Sequence, residues 1–96
     1  MITVKVHTIL TLKKIIGRGE TEISLPEESD LKALLSHIVD IWGDRLSSQI
    51  YEPGTETILP HIRLMINGRD VAFLNGMETI LHDGDELLML PPASGG

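Results

Sequence analysis

The chain has 96 residues, 42% hydrophobic and 23% charged, the proportions of one ordinary globular domain with a modest core. A net charge of −6 argues against a nucleic-acid backbone as the main partner, because affinity there comes mostly from clustered Lys and Arg. The absence of cysteine removes disulfides, thiolate nucleophiles and thiolate metal sites from consideration.

Ile2, Val4 and Val6 alternate with Thr3, Lys5 and His7, the period of a strand with one buried face. Lys13 to Gly19 breaks the alternation, and Gly17 and Gly19 supply turn chemistry. Thr21 to Leu25 alternates again, with Ile23 and Leu25 inward, so the two runs read as an antiparallel hairpin. Pro26 ends that strand. Ser29 or Asp30 then caps a helix whose stripe is Leu31, Leu34, Leu35, Ile38, Val39 and Trp42, with Gly43 as its stop.

Residues 44–60 read as a long loop with a helical turn at most, tacked onto the body by Ile50, Ile58 and Leu59. Ile62, Leu64 and Ile66 form a third strand, closed by the tight-turn pair Asn67-Gly68. Val71 to Phe73 is expected as a short return strand. A turn at His82-Asp83-Gly84-Asp85 leads into a last strand, Glu86 to Leu90. One helix across a mixed sheet of four or five strands is an α+β layout, with the first and last strands able to pair in parallel. The division expected is a domain over 1–90 and an extended tail over 91–96.

The tail carries the chemistry. Pro91 and Pro92 end the strand, because proline cannot donate to a β-ladder and favours an extended course. Ala93, Ser94, Gly95 and Gly96 add almost no width. A narrow, flexible, protruding tail that ends in a carboxylate suits an acyl donor threaded into another enzyme's ATP site. A carboxylate resists nucleophiles until its oxygen becomes a leaving group, and the chain has no base, metal or nucleophile near the tail. Activation, with its ATP, is therefore expected from a partner, and the chain itself binds no cofactor.

The run Asp83-Gly84-Asp85-Glu86, Leu87-Leu88-Met89-Leu90, Pro91-Pro92-Ala93-Ser94-Gly95-Gly96 resembles the MoaD branch of the MoaD/ThiS sulfur carriers. Length and element order match too, over essentially the whole chain. The resemblance implies a ubiquitin-like β-grasp fold, a sheet packed on one helix. It also implies that Gly96 is adenylated by a MoeB-like enzyme and becomes a thiocarboxylate. A MoaE-like large subunit would then accept the tail, making this chain the small subunit of a molybdopterin synthase and not an enzyme by itself. Two features depart from the family pattern: Leu90 where an aromatic residue is common, and a longer 44–60 stretch. Two other uses of the same architecture are a ubiquitin-like modifier joined to lysine and an interaction module without acyl chemistry.

The last strand is apolar on both faces, Leu87 and Met89 on one and Leu88 and Leu90 on the other. A sheet covered on one side should be polar on its outer face. Either the 44–60 loop covers that side, or Leu88 and Leu90 form a docking patch with Met65 and Phe73. His7, His37, His61 and His82 lie on different elements, so no metal site is expected. Ser36, His37 and Asp40 share a helix and read as a solvated face. The N-terminus lacks a signal-peptide pattern and no apolar run is long enough to span a bilayer, so the cytoplasm is the expected location.

Overall fold

The computed structural model describes residues 1–55, 57–60 and 62–90. Five strands form one mixed sheet: β1 (Ile2–Thr8), β2 (Glu20–Leu25), β3 (Arg63–Ile66), β4 (Arg69–Asp70) and β5 (Glu86–Leu90). Their order is β2-β1-β5-β3-β4. β1 pairs antiparallel with β2 and parallel with β5, and β3 is antiparallel to both β5 and β4. The strand that leads to the tail is therefore the central one.

Three helices pack on one side of the sheet: α1 (Leu10–Ile16), α2 (Leu31–Trp42) and α3 (Asp44–Ile50). α2 is the expected helix. The Asp30 side chain accepts from the Ala33 N–H at 2.8 Å, and Leu31, Leu34, Leu35 and Ile38 are fully buried. At about 1.5–3 kcal/mol per fully buried side chain, that stripe is a principal source of stability. It packs with Val4, Val6, Leu64, Leu87 and Met89 from the inner sheet face in one continuous core.

Three expectations are corrected. β1 and β2 pair antiparallel as expected, but the link between them, read only as a break with turn glycines, holds α1, which buries Leu12 and Ile16 one turn apart. Gly17, at φ 91°, ends the helix, and the chain returns so that the Thr8 N–H donates to the Gly19 carbonyl at 2.9 Å. The 44–60 stretch is not a long loop. It opens with α3, whose Leu46 and Ile50 are buried beside α1 and α2, and Tyr51 then bridges Ile58. Among the described residues there are thus three α-helices, not the single helix expected from the periodicity.

The third correction concerns Val71–Phe73, a 3₁₀ turn and not a strand. β4 comprises Arg69–Asp70 alone, because the Asp70 carboxylate accepts from the Ala72 N–H at 2.9 Å and bends the chain out of the ladder. Among the described residues, no helix is long and apolar enough to cross a membrane.

Candidate functional site

Gly96, Gly95, Ser94, Ala93, Pro92 and Pro91, the residues expected to do the chemistry, lie outside the described residues. The structure defines how the chain is held up to Leu90. β5 starts from a loop clamped at both sides. The Asp83 carboxylate accepts from the Thr3 N–H at 2.8 Å, and the Gly84 N–H donates to the Thr3 carbonyl at 2.9 Å. Gly84 takes a φ of 87°, a left-handed conformation that suits glycine.

The two oxygens of Asp85 accept from the His82 N–H at 2.8 Å and from Asn67 Nδ2 at 2.9 Å. Asn67 in turn accepts from the Glu86 N–H at 3.0 Å. The Asp-Gly-Asp run thus ties the start of β5 to β1 and to the β3–β4 turn, and its carboxylates are engaged with protein groups. Among the described residues, no group of three or more His, Cys, Asp or Glu could hold a metal ion.

From that clamp, β5 runs between β1 and β3 to Leu90, with both edges hydrogen-bonded. Leu87 and Met89 enter the core with no exposure. Leu88 and Leu90 point to the other side, where no α-helix lies among the described residues. α3 joins α1 and α2 on the inner side, so the 44–60 segment does not cover this face through its helix.

The register lays one residue from each strand across the outer face: Glu20, His7, Leu88, Met65, Asp70. Leu88 sits directly opposite Met65, and Leu90 opposite Arg63. Phe73, 85% exposed, shares a surface groove with Met65. All four expected patch residues, Leu88, Leu90, Met65 and Phe73, therefore belong to one side of the sheet, reaching the β4 edge.

Charged groups flank this apolar centre, and sequence reading did not single them out. On the β1–β2 side, His7 Nε2 lies 2.7 Å from Glu86 Oε1, and His7 Nδ1 lies 3.7 Å from Glu20 Oε1. Lys5 Nζ approaches the same Glu20 carboxylate at 3.9 Å. On the β4 side, Arg63 meets Asp70 at 3.4 Å. Only strand register brings these residues together, since His7 and Glu86 are 79 positions apart.

A five-stranded mixed sheet with its helices on one face, parallel first and last strands and a di-glycine terminus defines a ubiquitin-like β-grasp protein. The profile of the ThiS family matches residues 10–96, and the chain belongs to that family. A protein of Archaeoglobus fulgidus named as a sulfur carrier is 31% identical over 81 residues, 84% of this chain and 89% of that protein. The solution structure of small archaeal modifier protein 1 from Methanosarcina acetivorans superposes with a TM-score of 0.83 at 29% identity, covering 100% of this chain and 98% of that one. A Pyrococcus furiosus structure named as molybdopterin converting factor, subunit 1, gives a TM-score of 0.77 at 26% identity, covering 97% and 100%. The chain is thus of the ThiS/MoaD sulfur-carrier and small-modifier type.

Proposed function

We propose that this chain is the sulfur carrier of molybdopterin, or the related tungsten cofactor, synthesis, loaded at the Gly96 carboxylate. The observation that carries the reading is a chain end built for acyl transfer, Pro91-Pro92-Ala93-Ser94-Gly95-Gly96, following the central strand of a β-grasp sheet. Likeness to the Pyrococcus furiosus converting factor supports the molybdopterin assignment.

A MoeB-like enzyme joins the Gly96 carboxylate to the α-phosphate of ATP, releasing pyrophosphate. Sulfide sulfur, delivered by a donor of that enzyme, then attacks the acyl carbon. AMP leaves with the bonding electron pair, and Gly96 ends in a thiocarboxylate. A MoaE-like subunit takes up the tail and transfers its sulfur to precursor Z. The thiocarboxylate sulfur bonds to a carbon of the precursor, displacing an oxygen leaving group. Water then hydrolyses the acyl thioester, which leaves the sulfur on the precursor and returns the Gly96 carboxylate for another round. Pro91 and Pro92 direct the tail away from the sheet, and Gly95 lets it pass a narrow channel. Leu88, Leu90, Met65 and Phe73 dock against the partner, so that burial of apolar surface sets the distance from sheet to active site.

The likeness to small archaeal modifier protein 1 favours one second reading, conjugation to lysine through the same activated carboxylate. Intact mass after incubation with ATP, sulfide and an activating enzyme tests both. A carrier gains the mass difference between sulfur and oxygen, localised to Gly96, and the Gly96-deleted chain gains nothing. A modifier forms isopeptide-linked species of higher mass instead. If activating enzymes verified on their own carriers leave the chain unchanged in both respects, acyl chemistry is refuted and an interaction module remains.

A further inference from the structure

The pole of the sheet opposite the tail holds a groove that the acyl chemistry does not use. β1 and β5 run parallel with Thr8 beside Met89, so the chain leaves the sheet at the Thr8 end of β1. The groove lies at the Ile2 end, about 20 Å away along the strand. It has a volume of about 580 Å³. Its floor is apolar, made by buried Ile2 and Leu81, with Ile80, 45% exposed, beside them. Glu27 and Glu28 form one wall from the turn after β2, and His82 and Asp83 form the other from the turn before β5. Backbone ties fix the two walls. The Leu81 N–H donates to the Ser29 carbonyl at 2.9 Å, the Leu31 N–H to the Thr79 carbonyl at 3.0 Å, and the Asp83 carboxylate accepts from the Thr3 N–H at 2.8 Å. Three carboxylates thus border an apolar floor, and no lysine or arginine is among the described residues that line it. The Met1 amine lies 3.8 Å from Glu27, but both groups are well exposed and such a pair neutralises little.

From this we infer that the groove binds a partner segment in which a lysine or arginine stands beside an aliphatic residue. The aliphatic side chain and the stem of the cation pack on Ile80, Ile2 and Leu81, and the cationic head reaches Glu27, Glu28 and Asp83. Lysine and arginine suit this site because their methylene stems bury against apolar surface while their charge stays in water. Neither half suffices by itself: exposed carboxylates hold cations weakly, and the floor is small. An acidic segment is repelled by the same three groups, which gives the groove its specificity. At this pole the segment touches neither the tail nor the face of Leu88 and Met65. Binding here therefore does not depend on acyl chemistry, and a chain held by this groove keeps its C-terminus free to enter an enzyme.

The test titrates the full isotope-labelled chain with a capped hexapeptide, Gly-Leu-Lys-Ile-Arg-Gly, and with Gly-Leu-Glu-Ile-Glu-Gly as its acidic counterpart. The expected result is saturable amide shifts at Ile2, Glu27, Glu28, Ile80, Leu81 and Asp83 with a Kd of about 1 mM, while Thr8, Met65 and Leu88 stay still. The acidic peptide should shift none of them. Glu27→Gln combined with Glu28→Gln weakens binding about fivefold to tenfold at low salt, and less than about twofold at about 0.5 M salt, where the charges are screened. Ile80→Ala weakens it about threefold at every salt concentration. Asp40→Asn combined with Glu52→Gln, an equal charge change at exposed positions elsewhere, stays within about twofold. Thermal melts verify that each variant is folded. Glu28→Gly removes the charge in a residue that suits the φ of 67° found there, and should also weaken binding. Equal weakening by the two double variants, or shifts that spread to Glu20 and Glu22, would reduce the binding to general attraction and overturn the groove assignment. Absence of shifts at about 5 mM peptide would overturn it too. Shifts at the same amides that grow with protein concentration, without peptide, would give the groove to a second copy of the chain and overturn the basic-partner assignment.

Discussion

Leu87 and Leu88 are chain neighbours on the central strand with opposite fates, and truncating each in turn separates fold from docking. Leu87 is fully buried between β1 and β3, in contact with the core beneath α2. Leu87→Ala removes its transfer energy and leaves a cavity in a close-packed interior, a loss of about 3 kcal/mol or more. For a domain of this size that lowers the melting temperature by roughly 12–24 °C. Leu88 is only half-buried and faces outward beside Met65 and His7. Leu88→Ala uncovers little and costs about 1 kcal/mol of stability. Its effect falls on the partner: loading by an activating enzyme should drop about tenfold in kcat/KM, the equivalent of about 1.4 kcal/mol of lost docking energy. Urea melts and the mass-shift assay, run on both variants below the melting range of Leu87→Ala, give the two readouts. Equal destabilisation by the two substitutions would show that the outer face is covered in the free chain. Wild-type loading of Leu88→Ala would show that the patch does not dock.

Other substitutions probe the scaffold. Asp30→Ala removes the carboxylate that accepts from the Ala33 N–H at 2.8 Å and should cost about 1 kcal/mol in a urea melt, with Asp30→Asn close to wild type. Gly43 joins α2 to α3 at φ 73° and ψ −155°, a conformation nearly closed to other residues, while no atom lies within 4 Å of the place a Cβ would take. Gly43→Ala should therefore destabilise by about 1–3 kcal/mol through backbone strain alone, with no cavity or clash visible in its crystal structure. Asn67→Ala frees one oxygen of Asp85 and the Glu86 N–H together. It should cost about 1–2 kcal/mol and raise amide exchange at Glu86 ahead of the core amides of β1.

The parts of the fold that could be read from residues are those whose local pattern is long or chemically specific. α2 has 12 residues and four buried positions on one stripe, enough turns for the helical period to stand out. Asn67-Gly68 was legible because both residues take positive φ, 51° and 84°, which few others do. α1 and α3 were missed for a shared reason. Each has seven residues, and the buried apolar side chains described on each stand four apart, Leu12 with Ile16 and Leu46 with Ile50. One repeat is no period, and helices so short are unstable without tertiary contacts. Val71–Phe73 misled because β-branched and aromatic residues suit a strand, whereas one side-chain hydrogen bond from Ala72 to Asp70 decides the turn.

The candidate site divides the same way. The expectation of an acyl-donor tail came from the amino-acid order alone, since the narrowness of Ala93-Ser94-Gly95-Gly96 is a property of consecutive residues and needs no fold. That order also determined that β5 is apolar on both faces. Which face is left open, and what stands around it, only the tertiary structure decided. Three helices gather on one side because their short apolar faces find partners nowhere else, which leaves Leu88, Met65 and Phe73 uncovered. Strand register, a long-range property, then sets Glu20 beside His7 at the β2 edge and Asp70 beside Met65 at the β4 edge. A shift of one residue would have exchanged the two faces, because successive side chains on a strand point to opposite sides.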